Sequence, residues 1–383
     1  MRAGAEVTVI TCQPNFPKGE IFPGYRNRLL QREMIEGIHV VRVWSYISAN
    51  EGFFKRTLDF MSYAFMAFWA GLFAKADVIV ATSPQFFTTV AGGLLAKVKR
   101  TPWIMEVRDL WPESIKAVGA LSGDSFTYRM LERLELWLYR QAQAIVVVTE
   151  AFRDNLMRRG VPDAKIHVIK NGVDLSRFQP QPKDQDLLDE LELNGKFVIG
   201  YIGTHGMAHA LDFVLHAAAA CRIEDIHILL LGDGAEKQRL LQLHERLQLT
   251  NVTMLPFVAK DEVIRYISIL DAALVNLKKS DTFKTVIPSK IFENAALRKP
   301  ILLGVEGESK GIIDSYGAGL TFEPENQADF LHRIADMYRD QRGYEILQEG
   351  CSRLAKAFDR KTLAQRMLQT LQQVAPSEAA KTY

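Results

Sequence analysis

Short runs of apolar residues alternate along the whole chain with longer segments in which apolar positions recur every three or four residues. The runs are mostly continuous, as expected for parallel strands that are covered on both faces. The longer segments, such as residues 125–142 and 236–248, have the spacing of helices that pack on such a sheet. The predicted strands are Glu6–Thr11, His39–Val43, Val78–Thr82, Trp103–Val107, Ala144–Thr149, His167–Ile169, Phe197–Tyr201, Ile226–Leu231, Val252–Leu255, Ala272–Leu277 and Pro300–Leu303. This order predicts an α/β fold made of repeated strand–helix–strand units.

Two domains are predicted, because 383 residues exceed what one compact core usually contains. An Asn-Gly turn within Lys170–Asp174 and the polar segment Pro180-Gln181-Pro182 mark the boundary. We therefore expect two doubly wound, Rossmann-like domains that face a cleft, at residues 1–172 and 173–358. The remaining segment, residues 359–383, contains an amphipathic helix at 359–374.

The beginning of the sequence departs from this fold. Residues Arg2–Ala5 have the pattern of a helix end, with Gly4 as its stop, and the strand Glu6–Thr11 follows directly. A doubly wound domain normally begins with a central strand, a Gly-rich turn and a full helix. We therefore expect the sequence to lack this first strand and Gly-rich loop. A chance resemblance of Arg2–Ala5 to a helix end is the alternative.

Composition and charge narrow the possible functions. The formal net charge of +2 gives no reason to expect a nucleic acid partner. Cys12, Cys221 and Cys351 lie far apart, without the spacing of a disulfide pair or a metal site. This usage fits a protein of the reducing cytoplasm.

Residues 60–73 (FMSYAFMAFWAGLF) are almost entirely apolar and follow Lys55 and Arg56. A membrane-spanning helix needs about 20 apolar residues, and Asp59 ends this run early. Two interpretations remain open. The segment is a core helix, or it lies in a membrane interface with its aromatic rings in lipid and Lys55 and Arg56 at anionic headgroups. The second interpretation would make the protein peripheral on the cytoplasmic face of the inner membrane.

The segment Lys284–Gly304 (KTVIPSKIFENAALRKPILLG) has the clearest chemical pattern in the chain. Pro288 suits the first position of a helix, where free backbone N–H groups can bind an anion. Lys290 places a cation in the first turn, where helices normally carry acids, and a bound diphosphate would explain this choice. Glu293 follows on the same helix face and could accept hydrogen bonds from ribose hydroxyls. An exposed Lys-Glu pair on an ordinary helix is the alternative.

Two glycine-containing turns strengthen this prediction. Gly203–Gly206 and Gly232–Gly234 each follow a buried strand and precede a helix. Backbone N–H groups at such turns can approach phosphate oxygens, and His205 and His209 could assist. All three turns fall at the carboxyl ends of strands in one domain, where ligands bind in open α/β sheets. Together they predict a phosphate-bearing ligand.

In the first predicted domain, the segment Glu106–Glu113 (EVRDLWPE) follows a strand. It brings Arg108, Asp109 and Glu113 to the carboxyl end of that strand, on the side of the expected cleft. These groups could bind sugar hydroxyls or a pyrophosphate. A salt-bridged loop buried under Trp111 is the alternative.

Two other patterns do not predict a site. Asp184-Gln185-Asp186 has the form of a metal-binding Asp-x-Asp motif, but it lies in the polar linker and is predicted to begin a helix. The turn Gly203–Gly206 lacks the Lys-Ser/Thr pair of a P-loop, which argues against ATP hydrolysis of that type.

The motifs, taken in this order, resemble glycosyltransferase family 4, a family of retaining enzymes with the GT-B fold. The resemblance rests on Asn171–Asp174 with Phe178, on the two glycine turns, and on Pro288–Glu293. The segments EVRDLWPES and IPSKIFENAA more narrowly resemble bacterial transferases of the WbuB type, which act in O-antigen or capsule assembly. The resemblance extends over the whole chain.

The resemblance implies a nucleotide-sugar donor, usually UDP-linked, held by the C-terminal domain, and an acceptor in the N-terminal domain. It also implies that the C-terminal helix crosses back to the N-terminal domain and that no metal or other cofactor is needed. Glu293 matches the second Glu of the family's E-x7-E motif, which binds the ribose, and Ser289 and Lys290 match the turn near the diphosphate. The predicted donor-binding residues are Gly203, Thr204, His205, Gly206, Gly232, Gly234, Phe257, Lys278, Thr285, Pro288, Ser289 and Glu293. The predicted catalytic residues are Lys290, Asp109 and Arg108, and Glu113 is predicted on the acceptor side.

The sequence departs from the family pattern at three places. Thr285 replaces the first Glu of E-x7-E, so a carboxylate contact to the donor sugar becomes a hydroxyl contact or is lost. The Arg-plus-Lys phosphate pair after the first strand of the second domain is absent, which leaves other lysines to compensate. Arg108 stands where the family often has His. The lysines that could compensate are Lys278, Lys279, Lys284 and Lys290.

The resulting hypothesis is a retaining transfer of a UDP-linked, N-acetylated sugar to a polyprenyl-diphosphate-linked saccharide in bacterial surface polysaccharide synthesis. Lys290 and the helix N-terminus would stabilise the charge of the departing diphosphate. Two alternatives remain open at this stage. They are a non-hydrolysing UDP-sugar epimerase and a catalytically inactive nucleotide-sugar-binding protein.

Overall fold

The structure, a computed structural model, describes residues 4–15, 19–47, 53–83, 85–113, 125–259 and 261–376. It divides into two compact units. Unit 1 comprises Met1–Ile169 together with Arg366–Tyr383, and unit 2 comprises Lys170–Gln365. Both units are α/β with parallel strands, which confirms the fold class predicted from the apolar runs.

Unit 1 contains a three-stranded sheet and a four-stranded sheet. In the first, β1 (Thr8–Thr11) pairs in parallel with β3 (Ile38–Val43), which pairs antiparallel with β2 (Leu30–Ile35). The second has the order β4-β5-β6-β7 with all strands parallel. These four strands are β4 (Ile79–Thr82), β5 (Trp103–Val107), β6 (Ala144–Val147) and β7 (Ile166–Val168).

Strand β2 was not predicted, because its sequence LQREMI has no continuous apolar run and most of its side chains are exposed. The two-residue turn Glu36-Gly37 joins β2 to β3, and both turn residues have positive φ. Such turns match the twist of a hairpin. A search for continuous apolar runs therefore misses a hairpin strand that has a solvent-exposed face.

The helices of unit 1 begin with α1 (Phe53–Leu72), which includes most of the apolar segment 60–73. They continue with α2 (Phe86–Lys99), α3 (Phe126–Gln141) and α4 (Glu150–Arg158). Within the described part of the chain, no helix is long and apolar enough to cross a membrane. The predicted helix end at Arg2–Ala5 lies partly outside the described residues, and Gly4 has the positive φ of 83° that such an end would require.

Unit 2 is built on one parallel sheet with the order β10-β9-β8-β11-β12-β13. All six residues of β9 are buried, because helices cover both faces of the sheet. β8 lies centrally, and the strand order runs in opposite directions on its two sides. Ligands of open α/β sheets bind at such a point, outside the carboxyl ends of the strands. The strands are β8 (Phe197–Ile202), β9 (Ile226–Leu231), β10 (Val252–Leu255), β11 (Ala272–Asn276), β12 (Ile301–Gly304) and β13 (Gly319–Thr321).

The helices of unit 2 begin with α5 (Gln185–Glu190), where the Asp184 side chain accepts the Leu187 N–H as an N-cap. This confirms that the Asp184–Asp186 pattern begins a helix. The helices that follow are α6 (Leu211–Ala220), α7 (Lys237–Leu247), α8 (Val263–Ser268), α9 (Lys290–Ala296), α10 (Glu308–Tyr316), α11 (Gln327–Arg339), α12 (Gln341–Ala357) and α13 (Arg360–Val374).

The chain returns to unit 1 within α13, whose residues from Arg366 onward belong to that unit. Its apolar side chains Met367, Leu371 and Val374 pack against Ile104 of β5 and Ala144 of β6. The end of α13 is therefore part of the core of unit 1.

Candidate functional site

Two turns at the carboxyl end of the unit 2 sheet are joined by backbone hydrogen bonds. Gly203–Gly206 follows β8, and Gly232–Gly234 follows the neighbouring strand β9. The N–H of His205 donates to the Asp233 carbonyl at 2.8 Å, and the N–H of Glu236 donates to the His205 carbonyl at 2.9 Å. The two turns therefore form one continuous backbone surface.

Close approach of the backbone explains glycine at two of these positions. Gly232 has a φ of 148°, and a Cβ atom there would lie 1.8 Å from the carbonyl oxygen of Gly203. Gly203 has a φ of 146°, and a Cβ atom there would lie 2.8 Å from Nζ of Lys290. No other residue fits this packing without displacing its neighbours. Lys290, far along the chain, is thereby brought against the first glycine turn.

The ammonium group of Lys290 is buried and has no hydrogen-bond acceptor among the described residues. Its Nζ lies 3.7 Å from the centre of the Tyr201 ring, in a cation–π contact. Burial lowers the pKa of Lys290 to about 7, and the neighbouring Glu293 carboxylate opposes this change. An unpaired buried ammonium is energetically costly, and a bound anion would remove that cost.

Two histidines flank the same tyrosine. The ring centres of His205 and His209 lie 6.0 and 5.7 Å from that of Tyr201. Neither ring nitrogen of His205 has a hydrogen-bond partner within the described chain. Burial lowers the pKa of both histidines to about 4, and the charge of Lys290 adds to the effect. Both rings are therefore neutral at pH 7, and each still has one N–H to donate.

The helix that carries Lys290 differs from the prediction. α9 begins at Lys290 and Ser289 is its N-cap residue, so the assignment of Pro288 to the first helical position is wrong. The N–H of Ile291 donates to the Pro288 carbonyl at 3.1 Å, which makes the first turn a tight one. With seven residues, α9 has only a short row of aligned peptide dipoles. The ammonium of Lys290, rather than the helix dipole, is the main electrostatic feature here.

The other lysines considered for phosphate binding lie on the surface. Lys279 pairs with Glu323, and Nζ of Lys284 lies 2.7 Å from a carboxylate oxygen of Asp281. The side chain of Lys278 is exposed. Of the four lysines proposed to replace the missing phosphate pair, Lys290 is the one whose ammonium group is buried beside a glycine turn.

Two further predicted donor residues lie at loop positions of unit 2. Phe257 follows β10 and is 71% exposed, and the carbonyl of nearby Leu255 accepts the N–H of Gly232 at 3.2 Å. Thr285 ends a 3₁₀ turn (Asp281–Thr285), and its hydroxyl donates to the Thr282 carbonyl at 3.2 Å. The Thr285 hydroxyl is therefore engaged locally, whereas the Phe257 ring is accessible.

Two carboxylates of the predicted acceptor-side segment of unit 1 have hydrogen-bond partners within the fold. The carboxylate of Glu106 accepts the Thr82 hydroxyl at 2.8 Å and lies 3.4 Å from Nε of Arg108. The amide of Asn155 donates to both carboxylate oxygens of Glu113, at 3.3 and 3.2 Å. These contacts agree with the salt-bridged loop that was the alternative interpretation.

Two other features complete this segment. The Trp111 ring stacks on Phe86, with ring centres 5.9 Å apart. Asp109 is partly buried, and burial raises the pKa of its carboxyl group. Asp109 thus remains a candidate polar group of this strand end.

Two site residues were not predicted. Tyr201 supports Lys290 with its ring, and its hydroxyl donates to the Thr204 carbonyl at 2.8 Å. Buried Asn276 donates to the His209 carbonyl at 3.0 Å, and its Oδ1 has no partner among the described residues. Each is a polar residue at the end of an otherwise apolar strand, which is the signal that could have found them. The described residues contain no group of three or more His, Cys, Asp or Glu side chains placed to hold a metal ion.

Comparison with curated proteins gives relatives of one kind. WbjE of Pseudomonas aeruginosa, named as a glycosyltransferase, is 29% identical over 271 residues, 68% of this chain and 66% of its own length. WcaI of Escherichia coli, named as a colanic acid biosynthesis glycosyl transferase, is 25% identical over 75% of this chain and 72% of its own length. The chain thus spans about two thirds of the length of these relatives.

Solved structures share the fold at low sequence identity. HepE of Anabaena in complex with UDP-glucose superimposes with a TM-score of 0.69 and 19% identity, covering 88% of this chain and 86% of HepE. The sucrose-phosphate synthase of Thermosynechococcus elongatus gives a TM-score of 0.73 and 17% identity, covering 97% and 90%. At these identities the likeness concerns the fold.

Two family models match consecutive parts of the chain. The model described as a glycosyl transferase 4-like domain matches residues 1–172, and the model of glycosyl transferases group 1 matches residues 183–357. The chain therefore belongs to the glycosyltransferases of family 4, which have the GT-B fold.

Proposed function

We propose that the protein transfers an N-acetylated sugar from a UDP-sugar to a polyprenyl-diphosphate-linked saccharide, with retention and without a metal. The observation that carries the proposal is the buried Lys290 ammonium, which has no acceptor within the described chain and lies against the Gly203 turn. Protein interiors rarely leave a buried cation unpaired, except where a ligand completes it. A donor diphosphate is the anion that a glycosyltransferase supplies.

The surroundings of Lys290 suit a diphosphate. The joined turns Gly203–Gly206 and Gly232–Gly234 contain three glycines that leave the backbone without a Cβ atom, and the rings of His205 and His209 lie about 6 Å from that of Tyr201, which also contacts Lys290. Backbone N–H groups and neutral imidazoles can donate to phosphate oxygens. A bound dianion would also raise the pKa of Lys290, so that the lysine binds in its charged form.

The nucleoside is proposed to lie between Glu293 and Phe257. Glu293 is one helical turn after Lys290, and its charge already acts on that lysine. A carboxylate at this distance from the diphosphate can accept both ribose hydroxyls. The exposed ring of Phe257 offers a surface on which the uracil base can stack.

The chemistry proposed for this site needs no protein nucleophile. The bond between the anomeric carbon and the diphosphate oxygen breaks, and the acceptor hydroxyl oxygen bonds the anomeric carbon on the same face. The departing phosphate takes the acceptor proton. Lys290 stabilises the charge that accumulates on the leaving group, which is often the largest contribution to catalysis. Arg108, Asp109 and Glu113 are proposed to serve the acceptor from unit 1.

The relatives support the biological setting of this proposal. WcaI is named for colanic acid biosynthesis, TuaH of Bacillus subtilis is named for teichuronic acid biosynthesis, and HepE was crystallised with UDP-glucose. Each is assigned to glycan assembly or holds a uridine nucleotide. We extend this to bacterial surface polysaccharide synthesis at the cytoplasmic face of the inner membrane.

Calorimetry with UDP and with inorganic pyrophosphate tests the donor site. The wild-type protein is expected to bind both, and Glu293→Ala to lose at least about tenfold in affinity for UDP while keeping its affinity for pyrophosphate. Absence of UDP binding at millimolar concentration would contradict a donor site. An equal loss for both ligands would contradict the ribose contact.

A turnover assay tests the reaction itself. UDP-N-acetylglucosamine with a polyprenyl-diphosphate disaccharide is expected to give a product whose new linkage has the anomeric configuration of the donor by NMR. EDTA is expected to leave the rate unchanged. An epimerised UDP-sugar formed without acceptor would replace the transferase assignment by an epimerase.

A further inference from the structure

A side-chain amide at the end of β11 holds the loop that follows β8. All residues of β11 are buried, and the last of them, Asn276, is the polar residue of that strand. Its Nδ2 donates to the carbonyl of His209 at 3.0 Å and to the carbonyl of Ala210 at 3.4 Å. Asn276 and His209 are 67 positions apart in the chain. The conformation of the His209 loop therefore depends on a residue of another strand.

The backbone that this amide holds is strained. Ala210 has a φ of 45° and a ψ of 45°, a left-handed conformation that residues with a Cβ atom rarely adopt. It is also the N-cap residue of α6, where its methyl group cannot cap the helix. The N–H of Lys278, just after β11, supports the same loop by donating to the Ala208 carbonyl at 2.8 Å. Strained backbone persists where neighbouring groups fix it, and here the end of β11 provides those groups.

A glycine at the end of β12 leaves room for the amide. Gly304 lies opposite Asn276 in the parallel register of β11 and β12. A Cβ atom at Gly304 would lie 2.3 Å from Oδ1 of Asn276 and 2.4 Å from the ring of Phe322. Oδ1 of Asn276 has no hydrogen-bond partner among the described residues. Turning the amide over would point Oδ1 at two carbonyl oxygens, so the hydrogen bonds of Nδ2 fix its orientation.

The ring of His209 belongs to the surroundings of Lys290. Its centre lies 5.7 Å from that of the Tyr201 ring, and Nζ of Lys290 lies 3.7 Å from the centre of the same ring. Burial and the charge of Lys290 lower the pKa of His209 to about 4, so the imidazole is neutral at pH 7. A neutral imidazole has a single N–H to donate. Whether that N–H reaches a phosphate oxygen depends on where the backbone places the ring.

We propose that Asn276 is a positioning residue for donor binding, which fixes the His209 loop so that the His209 ring donates to the diphosphate at Lys290. Asn276 does not touch the ligand itself, because its Nδ2 is engaged by two carbonyls and its Oδ1 lies against Gly304. The inference rests on the proposed function, since the donor diphosphate is the anion that His209 meets. It adds that an amide on β11 controls the geometry of a ligand-binding side chain in the loop after β8.

An amide with a purely structural role serves as the control. Nδ2 of Asn251, between α7 and β10, donates to the carbonyl of Ala218 at 3.0 Å. Ala218 lies near the end of α6, the helix whose beginning Ala210 forms. Loss of a structural bond lowers stability but does not move a ligand-binding side chain. Asn251→Leu is therefore the matched control for Asn276→Leu.

A double-mutant cycle measured by calorimetry with UDP tests the proposal. Asn276→Leu and His209→Phe are each expected to lower UDP affinity about tenfold, and the double variant to lose hardly more than either alone. This result is expected because both changes remove the same imidazole donor. Asn251→Leu is expected to keep UDP affinity within about twofold. Additive losses in the double variant would overturn the proposal, as would an equal loss in Asn251→Leu.

Asn276→Asp separates positioning from a loss of packing. A carboxylate at this position cannot donate to the His209 carbonyl, whereas a protonated carboxyl group can. Burial favours the protonated form as pH falls. The UDP affinity of Asn276→Asp relative to that of Asn276→Leu is therefore expected to rise at least about threefold from about pH 8 to about pH 6. The titrations of UDP and of Lys290 cancel in this ratio, and a constant ratio would contradict the proposal.

Inorganic pyrophosphate distinguishes failure of this inference from failure of the proposed function. Additive losses with normal UDP binding by the wild type would remove the role of Asn276 and leave the donor site intact. If the wild type binds pyrophosphate but not UDP, the same cycle with pyrophosphate decides the role of Asn276, while the proposed donor is wrong. Binding of neither ligand would overturn both. Circular dichroism checks that each variant is folded, and Asn276→Ser replaces Asn276→Leu in the cycle if the latter is not.

Discussion

Both units have polar side chains at the carboxyl ends of their strands, but these side chains differ in whether they have hydrogen-bond partners. Beside the end of β8 in unit 2, the ammonium of Lys290 and the ring of His205 are buried, and their side-chain nitrogens have no hydrogen-bond partner among the described residues. At the end of β5 in unit 1, the carboxylates of Glu106 and Glu113 are held by hydrogen bonds from neighbouring side chains. Both segments have the same position in a similar sheet. The two strand ends therefore differ in whether the described chain supplies hydrogen-bond partners to these side chains.

The same contrast exists between two buried lysines within unit 2. Nζ of Lys299 donates to the Ser268 carbonyl at 2.6 Å, and burial lowers its pKa to about 8. Nζ of Lys290 has an aromatic ring as its neighbour and no acceptor in the described residues. Lys299 therefore has a structural role that the fold itself explains. For Lys290 the described residues supply no such partner, and the proposed donor diphosphate would provide one.

The largest expected effect comes from removing the cation at the unsatisfied site. Lys290→Met keeps the length of the side chain and is expected to lower UDP affinity about 100-fold, because a charge-assisted bond to phosphate is lost in a buried site. Lys299→Met, the matched control, is expected to leave UDP affinity within twofold. Calorimetry with UDP on both variants measures this, and equal losses would erase the distinction between the two lysines.

Lys290→Met is expected to stabilise the protein, although it lowers the affinity for UDP. The pKa of Lys290 is about 7 in the folded protein, against about 10.4 in an unfolded chain. The unfolded state thus binds more protons between these values, so this lysine destabilises the empty protein near pH 7 and less as pH rises toward 10. Lys290→Met is expected to raise the free energy of unfolding by about 2 kcal/mol at pH 7. Urea denaturation without UDP measures it.

Lys299→Met provides the comparison for that measurement. It leaves the buried Ser268 carbonyl without its lysine donor and is expected to lower the free energy of unfolding by about 1 kcal/mol. A loss of stability in both variants would show that Lys290, too, serves the fold. A gain in both would show that neither lysine contributes favourably.

UDP affinity is expected to depend on pH through the same group. Binding requires protonated Lys290, so affinity falls as pH rises above about 7, by about fivefold between pH 7 and pH 8. UDP itself also titrates, and the pH profile of UDP affinity in Lys290→Met measures that contribution alone. The difference between the profiles of wild type and variant is therefore the contribution of the lysine. Calorimetry in buffers of different ionisation enthalpy should detect proton uptake in wild type at pH 8. Identical pH profiles would contradict the role of Lys290.

Sequence patterns predicted the architecture well, because continuous apolar runs such as β9 are required by burial on both faces. They missed β2, whose exposed residues carry no such signal, and they placed Pro288 at the first position of α9, although the helix begins two residues later. A proline indicates the region of a helix start more reliably than its first residue.

The sequence predicted the separate motifs of the candidate site but not the contacts between them. The contact of Lys290 with Tyr201 joins two segments that are 89 positions apart in the numbering, and no local pattern encodes it. Whether a buried polar group finds a partner is likewise a property of the folded chain. In the sequence, Lys279 and Lys284 were candidates for phosphate binding together with Lys290. The structure shows that both form ion pairs on the surface.

The smallest expected effect concerns Glu106 in unit 1, whose carboxylate has partners within the fold. Glu106→Gln weakens the contacts with Thr82 and Arg108 and is expected to lower the free energy of unfolding by about 1 kcal/mol. UDP affinity is expected to stay within twofold, because the donor groups of this proposal all belong to unit 2. Denaturation and calorimetry on one preparation measure both quantities. A tenfold loss of UDP affinity would place Glu106 in donor binding, and hydrogen-bond satisfaction would then no longer distinguish the two strand ends.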